Sequence, residues 1–211
     1  AVQTEQISRL GARTALQLPL DAWVVGNAGR LHPDKDQATL IRGFAQALPR
    51  LPVGSLLAIM GSGRLEAPLR QLAESLGIAD QVRFLGHVRH GRRYFKAFDL
   101  FVLTSDHEPF GMVLLEAIAA KVPVVCTDCG GGREVVEGVG KLFPLGDSAA
   151  LATELVKAAQ LDPGSAQSAA STLEHLTERF SDARAQRDFN TILSKAFFTD
   201  DSVQHVHFYV E

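Results

Sequence analysis

The 211-residue chain is short of several features that would each narrow its function. Two cysteines are too few for a disulfide scaffold. No apolar run approaches the roughly 20 residues of a membrane span, and no signal peptide opens the chain. With 21 Lys and Arg against 24 Asp and Glu, the net charge of −3 gives nucleic acid no electrostatic reason to bind. Internal repeats and low-complexity segments are absent as well. A soluble, cytoplasmic protein is expected, with room left for a peripheral membrane contact. The chain is 46% apolar, ample for the core of one large domain.

The periodicity is that of alternating strands and helices. Buried strands are expected at Trp23–Gly29, Ser55–Met60, Val82–Leu85, Leu100–Leu103 and Val122–Cys126, with a weaker one at Lys141–Pro144. Between them, Asp36–Leu48 places Leu40, Ile41, Phe44, Ala45 and Leu48 at 3.6-residue spacing, and Leu65–Leu76 carries a leucine stripe that stops at Gly77. Gly91–Phe98 reads as a short helix, Asp147–Ala159 as a helix, and Ser165–Phe198 as one or two more. Gly130-Gly131-Gly132 reads as a turn before a short helix around Val135. Short strands alternating with helices predict an α/β fold, a doubly wound parallel sheet covered on both faces. Ligands on such sheets bind beyond the C-terminal strand ends. Residues 1–21 show no strong period, and the tail 199–211 shows none at all.

One stretch concentrates the chemistry: Ser105-Asp106-His107-Glu108-Pro109-Phe110-Gly111-Met112-Val113-Leu114-Leu115-Glu116. It leaves a buried strand and turns into a helix that is apolar on every face except at Glu116, which predicts burial of that helix all round. A carboxylate in such a place is costly unless something binds it. Glu108 lies just before the helix, and the eight positions to Glu116 span at most roughly 12 Å along the axis. Between the two carboxylates lie the free N–H groups and positive dipole end of a helix N-terminus, which favour an anion. Hydroxyl, anion, hydroxyl is the layout of a nucleotide sugar. Gly29-Arg30-Leu31-His32-Pro33-Asp34-Lys35-Asp36 adds two cations in a loop after the first strand, suited to a diphosphate.

These motifs carry a resemblance. The E-x7-E of Glu108 to Glu116 resembles the signature of the retaining GT-B glycosyltransferases, family 4 (glycosyl transferases group 1). Arg30 and Lys35 are similar to the family's G-R-x-x-x-x-K-G, with Asp36 standing where the pattern usually has glycine. Arg83-Phe84-Leu85-Gly86-His87-Val88 resembles F-L-G-x-V, and Gly130-Gly131-Gly132-Arg133-Glu134 resembles the family's G-G-x-x-E loop. The resemblance implies a Rossmann-like domain, the C-terminal, donor-binding half of a GT-B enzyme. On it, 1–21 is an interdomain linker remnant, 22–162 the nucleotide-sugar-binding domain, 163–198 C-terminal helices and 199–211 a tail.

The resemblance also implies roles. Arg30 and Lys35, with the backbone of Phe110, Gly111, Met112 and Val113, would hold the donor's pyrophosphate. Glu116 would accept the ribose hydroxyls, Val88 would touch the nucleobase through its backbone, and Gly131 would let the glycine loop close over the donor. Glu108, the catalytic candidate, would hold the sugar near its reacting carbon. The reaction implied is transfer from a nucleotide-diphosphate sugar, a substrate and not a cofactor, to an acceptor hydroxyl in glycan or lipopolysaccharide synthesis. The acceptor, carbohydrate or lipid-linked, would be held by an N-terminal domain missing from this sequence. Retaining glycosidases need two carboxylates roughly 5 Å apart; no such pair is evident, and the family is thought to react on a single face.

Other readings are open on the residues alone. Gly61-Ser62-Gly63 begins a dinucleotide fingerprint that lacks its third glycine, so a Rossmann-like dehydrogenase domain is an alternative, as is a non-catalytic nucleotide-binding module. Cys126-Thr127-Asp128-Cys129 is a C-x-x-C without the second pair a zinc site needs, and inert thiols are expected. Asp34-Lys35-Asp36 spells the D-x-D of a metal-dependent transferase fold, but in the wrong setting, and no metal is expected.

Overall fold

The computed structural model describes residues 6–106 and 111–161, which fall within one compact unit, Ala1–Ala169. Six strands, β1 (Val24–Ala28), β2 (Leu56–Met60), β3 (Val82–Gly86), β4 (Leu100–Leu103), β5 (Val124–Thr127) and β6 (Lys141–Phe143), form one parallel sheet in the order β3-β2-β1-β4-β5-β6. The helices are α1 (Arg9–Ala15), α2 (Gln37–Ala47), α3 (Glu66–Ser75), α4 (Met112–Ala119), α5 (Gly130–Val136) and α6 (Ser148–Gln160). The doubly wound α/β expectation therefore holds. The segments 163–198 and 199–211, and the helices expected in the former, lie outside the described residues.

The central strands are buried on both faces, so they read as continuous apolar runs rather than alternating ones. On one face Leu40, Ile41 and Phe44 of α2 and Leu151 and Leu155 of α6 pack with Val25, Leu57, Ile59, Val102 and Val125 of the sheet. On the other, Phe95, Phe98 and Phe101 form an aromatic cluster with ring centroids 5.1–6.4 Å apart. Phe98 lies where a side chain at Gly26 would be, 2.2 Å from an added Cβ, so the glycine inside β1 is a packing requirement.

Four local features differ from expectation. The first 21 residues contain a helix, α1, capped by the Ser8 hydroxyl, which accepts from the Gly11 N–H at 3.2 Å. Periodicity misses it because its buried residues are Ala12 and Arg13, one small and one charged. The three glycines are not a turn before α5; they are its first three residues. Helix α4 is buried through Leu114, Ala117 and Ile118 only, while Met112 is exposed and Val113, Leu115 and Glu116 are half-buried. Leu76 of the expected stripe is exposed, and Ala73 takes the core position.

Arg13 is fully buried, and each of its three guanidinium nitrogens is engaged. Its guanidinium donates to the carbonyls of Ala97, Pro19, Leu20 and Ala22 at 2.7–2.9 Å and to Asp99 Oδ2 at 2.7 Å. The same oxygen accepts from the Val24 N–H, and Asp99 Oδ1 pairs with Arg9 at 2.7 Å. This node welds the segment ahead of β1 to the start of β4. Asp99→Ala strands a buried guanidinium, and we expect a loss of about 3–5 kcal/mol, read as a lower urea midpoint at unchanged slope.

Candidate functional site

β1 and β4 are where the strand order reverses, the place at which open parallel sheets carry a crevice. They pair only at Val25↔Leu100 and Gly26↔Phe101. Beyond that point the Asn27 side chain bridges them, donating from Nδ2 to the Val102 carbonyl at 2.8 Å. The loops that follow separate to opposite faces, the first leading to α2 and the second to α4.

The loop after β1 is held on two sides. The Thr104 hydroxyl donates to the Lys35 carbonyl at 2.8 Å and the Asp106 N–H to the Asp34 carbonyl at 3.0 Å, so it is fastened to the loop after β4. From the other side the Gly29 N–H donates to the Met60 carbonyl and the Leu31 N–H to that of Ser62. This contact explains Gly61-Ser62-Gly63. A Cβ at Gly61 would stand 1.8 Å from the Gly29 carbonyl oxygen, and one at Gly63 2.3 Å from that of Leu31. Those glycines admit neighbouring backbone, so they do not argue for a dinucleotide.

Arg30 is three-quarters exposed at the mouth of the crevice, 3.7 Å from Asp34. The Lys35 stem runs past Gly29, 3.8 Å from where a Cβ would stand. Asp36 adopts φ 40° and ψ 45°, the left-handed region a glycine occupies freely, and its side chain caps α2 by accepting from the Thr39 N–H. The departure from the glycine pattern thus keeps the backbone shape. Both carboxylates of Asp34-Lys35-Asp36 are engaged, Asp36 in that cap and Asp34 with His32 Nδ1 at 2.6 Å. Burial alone would push the Asp34 carboxyl up, but the His32 hydrogen bond and the charges of His32, Lys35 and Arg30 bring it below its ordinary value.

Across the crevice, Gly111 caps α4 with φ 61° and no side-chain hydrogen bond. The N–H groups of Met112 and Val113 have no acceptor among the described residues. Glu116, one turn into α4, lines a cleft of about 370 Å³ together with Gly29, Arg30, Ser62, His87, Val88, Arg92 and Val113. Arg92 Nη1 stands 3.7 Å from Glu116 Oε1. Burial pushes the Glu116 carboxyl above its ordinary value, and the nearby Arg92 charge pulls it partly back.

Arg30, Val88, Val113 and Glu116 are thus brought together by one cleft. Lys35, Gly111 and Met112 are not among its lining residues, although Arg30 and Val113 of the same segments are. Glu108 and Phe110 lie outside the described residues. Gly131 is apart from the cleft; its carbonyl oxygen lies 3.5 Å from where a Cβ of Gly111 would stand, so it seats α5 against the start of α4. Cys126 and Cys129 are not joined in a disulfide, and Cys129 Sγ donates to the Ser105 carbonyl at 3.0 Å. Among the lining residues not anticipated, two carry titratable side chains, Arg92 and His87. Their signal was the run from Val82 to Phe98, which carries Arg83, Arg89, Arg92, Arg93 and Lys96 and no acid.

A larger hollow of about 590 Å³ opens at the opposite rim, against the strand starts at Leu100, Val124 and Lys141. It borders Leu161, where the described residues end, and two of its charged residues, Glu154 and Lys157, pair with each other at 2.6 Å. It brings no chemistry together.

Residues 11–172 match the family described as glycosyl transferases group 1. The chain belongs to that family. Over 115 residues it is 42% identical to the lipopolysaccharide core biosynthesis glycosyltransferase LpsE of Rhizobium meliloti, covering 54% of this chain and 32% of that protein. Its fold superposes with a TM-score of 0.75 on the crystal structure of Anabaena HepE in complex with UDP and glucose, at 30% identity, covering 92% of this chain and 54% of that one. The C-terminal domain of the group 1 protein LpcC from Francisella tularensis superposes with a TM-score of 0.73 over 97% of its length; at 21% identity this shows the fold alone. The chain spans about a third of LpsE and about half of HepE.

Two outcomes follow from the geometry. Gly61→Ala forces a Cβ into the Gly29 backbone, and a loss of roughly 3 kcal/mol or more is expected, whereas Gly54→Ala, with open space around it at φ 81°, should cost only about 1–2 kcal/mol. For Glu116 the pH dependence has a definite sign. Its folded carboxyl holds its proton to higher pH than the unfolded one, so its ionisation opposes folding. That penalty is absent below the ordinary carboxylate range, grows as pH rises from there through the folded value, and is complete above it. Glu116→Gln should therefore be at least as stable as the parent at neutral pH, the difference closing on acidification in urea titrations.

Proposed function

We propose that this domain binds the nucleotide-diphosphate half of a sugar donor for a retaining, GT-B-type glycosyl transfer. The observation that carries the reading is the single cleft lined by both Arg30 and the half-buried Glu116, with Val113 of the α4 start, whose N–H has no acceptor among the described residues. Cations and N–H groups suit the two phosphates, and a carboxylate suits a pair of ribose hydroxyls. HepE, solved with UDP and glucose, supports the same class of ligand here.

On this reading Glu116 accepts the ribose hydroxyls, and the Val88 backbone borders the base. Arg30 and Lys35, with the N–H groups of Gly111, Met112 and Val113, take up the charge that develops on the departing diphosphate. Donors aimed at charge that appears only in the transition state lower the barrier most. Glu108 is the candidate for holding the sugar hydroxyls beside the reacting carbon. The domain is the C-terminal, donor-binding one, and an acceptor hydroxyl held by a second domain completes the reaction. Its similarity to LpsE favours an acceptor in glycan or lipopolysaccharide synthesis. The donor is the substrate, and no further cofactor enters the proposal. No described helix is long and apolar enough to cross a membrane; a cytoplasmic site of action, peripheral to the membrane, is part of the proposal.

The test is calorimetry with UDP, GDP, ADP, NAD and inorganic pyrophosphate. A nucleoside diphosphate should bind, and Glu116→Gln should weaken it by about 1.5–3 kcal/mol while leaving pyrophosphate nearly unchanged. Preference for NAD would favour a dehydrogenase domain, and equal affinity of parent and Glu116→Gln would remove Glu116 from the site.

A further inference from the structure

Arg92 belongs to none of the motifs discussed above, yet it is the charged group that reaches Glu116. It stands at the second position of a 3-10 segment, Gly91–Ala97, whose near end forms the wall of the cleft through Gly91 and Arg92. The backbone there is held from behind by the segment preceding α1. Gln6 Nε2 donates to the Arg92 carbonyl at 3.1 Å, and the Ile7 N–H to the Arg93 carbonyl at 3.0 Å. The Arg92 side chain then projects with Nη1 3.7 Å from Glu116 Oε1.

We infer that Arg92 is a positioning residue for the nucleotide site, holding the Glu116 carboxylate turned into the cleft so that both of its oxygens can receive hydroxyls. The inference rests on the ribose role given to Glu116 above. The pairing does not compete with that role, because at 3.7 Å it is an ion pair without a hydrogen bond and leaves the carboxylate's roughly four lone-pair sites open to hydroxyls.

The surroundings of Glu116 leave this duty to Arg92. Helix α4 has no other titratable side chain, and β4 contributes none. From β5 comes the buried thiol of Cys126, and from α5 come Glu134, exposed, and Arg133, which is bound to Asp128 at 2.8 Å. His87 and Arg30 line the same cleft, and the 3-10 segment also carries Arg93, Tyr94 and Lys96. Among all of these, Arg92 is the one whose charge acts on the Glu116 carboxyl, against the upward push of burial. Without it that upward push is unopposed. The carboxyl then keeps its proton to higher pH, and a protonated acid accepts hydroxyls less well than a carboxylate.

The experiment measures affinity against pH for the tightest binder among UDP, GDP and ADP, with inorganic pyrophosphate as the control. Parent, Arg92→Met, Arg92→Lys and Glu116→Gln are compared. Arg92→Met keeps the aliphatic stem and loses the charge. It should bind the nucleotide about fivefold more weakly at neutral pH, with the acid limb of the curve moved toward neutrality. Arg92→Lys should return that limb most of the way, and Glu116→Gln should have no such limb. Pyrophosphate should bind all four alike, which also reports that each is folded. Parallel curves for parent and Arg92→Met, or a lysine variant no better than methionine, would overturn the inference. Loss of the ribose reading itself would look different: Glu116→Gln would then bind the nucleotide as the parent does.

Discussion

Everything at the candidate site depends on β1 and β4 lying side by side and then parting. Two residue pairs join them, after which the Asn27 amide spans the widening gap to Val102. Because the polypeptide leaves the two strands toward opposite faces, backbone that would otherwise bury its own N–H groups in a sheet edge opens into a crevice. The crevice is kept in shape by hydrogen bonds across it, Thr104 to Lys35 and Asp106 to Asp34. Movement of the cation-bearing loop therefore entails movement of the loop that runs on to α4.

The polar atoms around this point are incompletely satisfied. Asn27 Oδ1, Gln37 Oε1 and Ser105 Oγ are buried without a hydrogen-bond partner, while the other ends of Asn27 and Gln37 hold the carbonyls of Val102 and Arg30. Buried polar groups without partners cost free energy, and the desolvated Glu116 carboxylate does the same. At the other end of β4, the Arg13–Asp99 node engages all three guanidinium nitrogens of a buried cation. The segment ahead of β1 is held to the sheet by that ion pair.

The chain belongs to the glycosyl transferases group 1 family. The loop after β1 shows how a motif can vary and keep its shape. A left-handed backbone at position 36 suits glycine, and the aspartate there accepts that conformation while capping α2. The arrangement survives a change of residue because the physical requirement, a φ near +40° followed by a helix start, is still met.

The alternation of apolar strands with amphipathic helices was legible in the residues, because strands buried on both faces leave long apolar runs and α2 and α6 each carry a clear stripe. Arg30 and Glu116 can be named from their residues and setting, and Val88 and Val113 through the family resemblance; Arg30 and Val88 follow strand ends, Val113 opens α4, and Glu116 lies one turn into it. What spacing could not supply was anything created by contacts between distant segments. Helix α1 is invisible as a pattern because its anchor is a charged residue satisfied by carbonyls and by Asp99, 86 positions away. Arg92 looked like one cation among several until the tertiary fold placed it against Glu116, 24 positions later in the chain. The purpose of Gly61 was likewise undecided between ligand and backbone until Gly29 was seen against it. Local periodicity reports burial, which each segment carries in its own composition; partners of charges and of glycines are chosen by the fold.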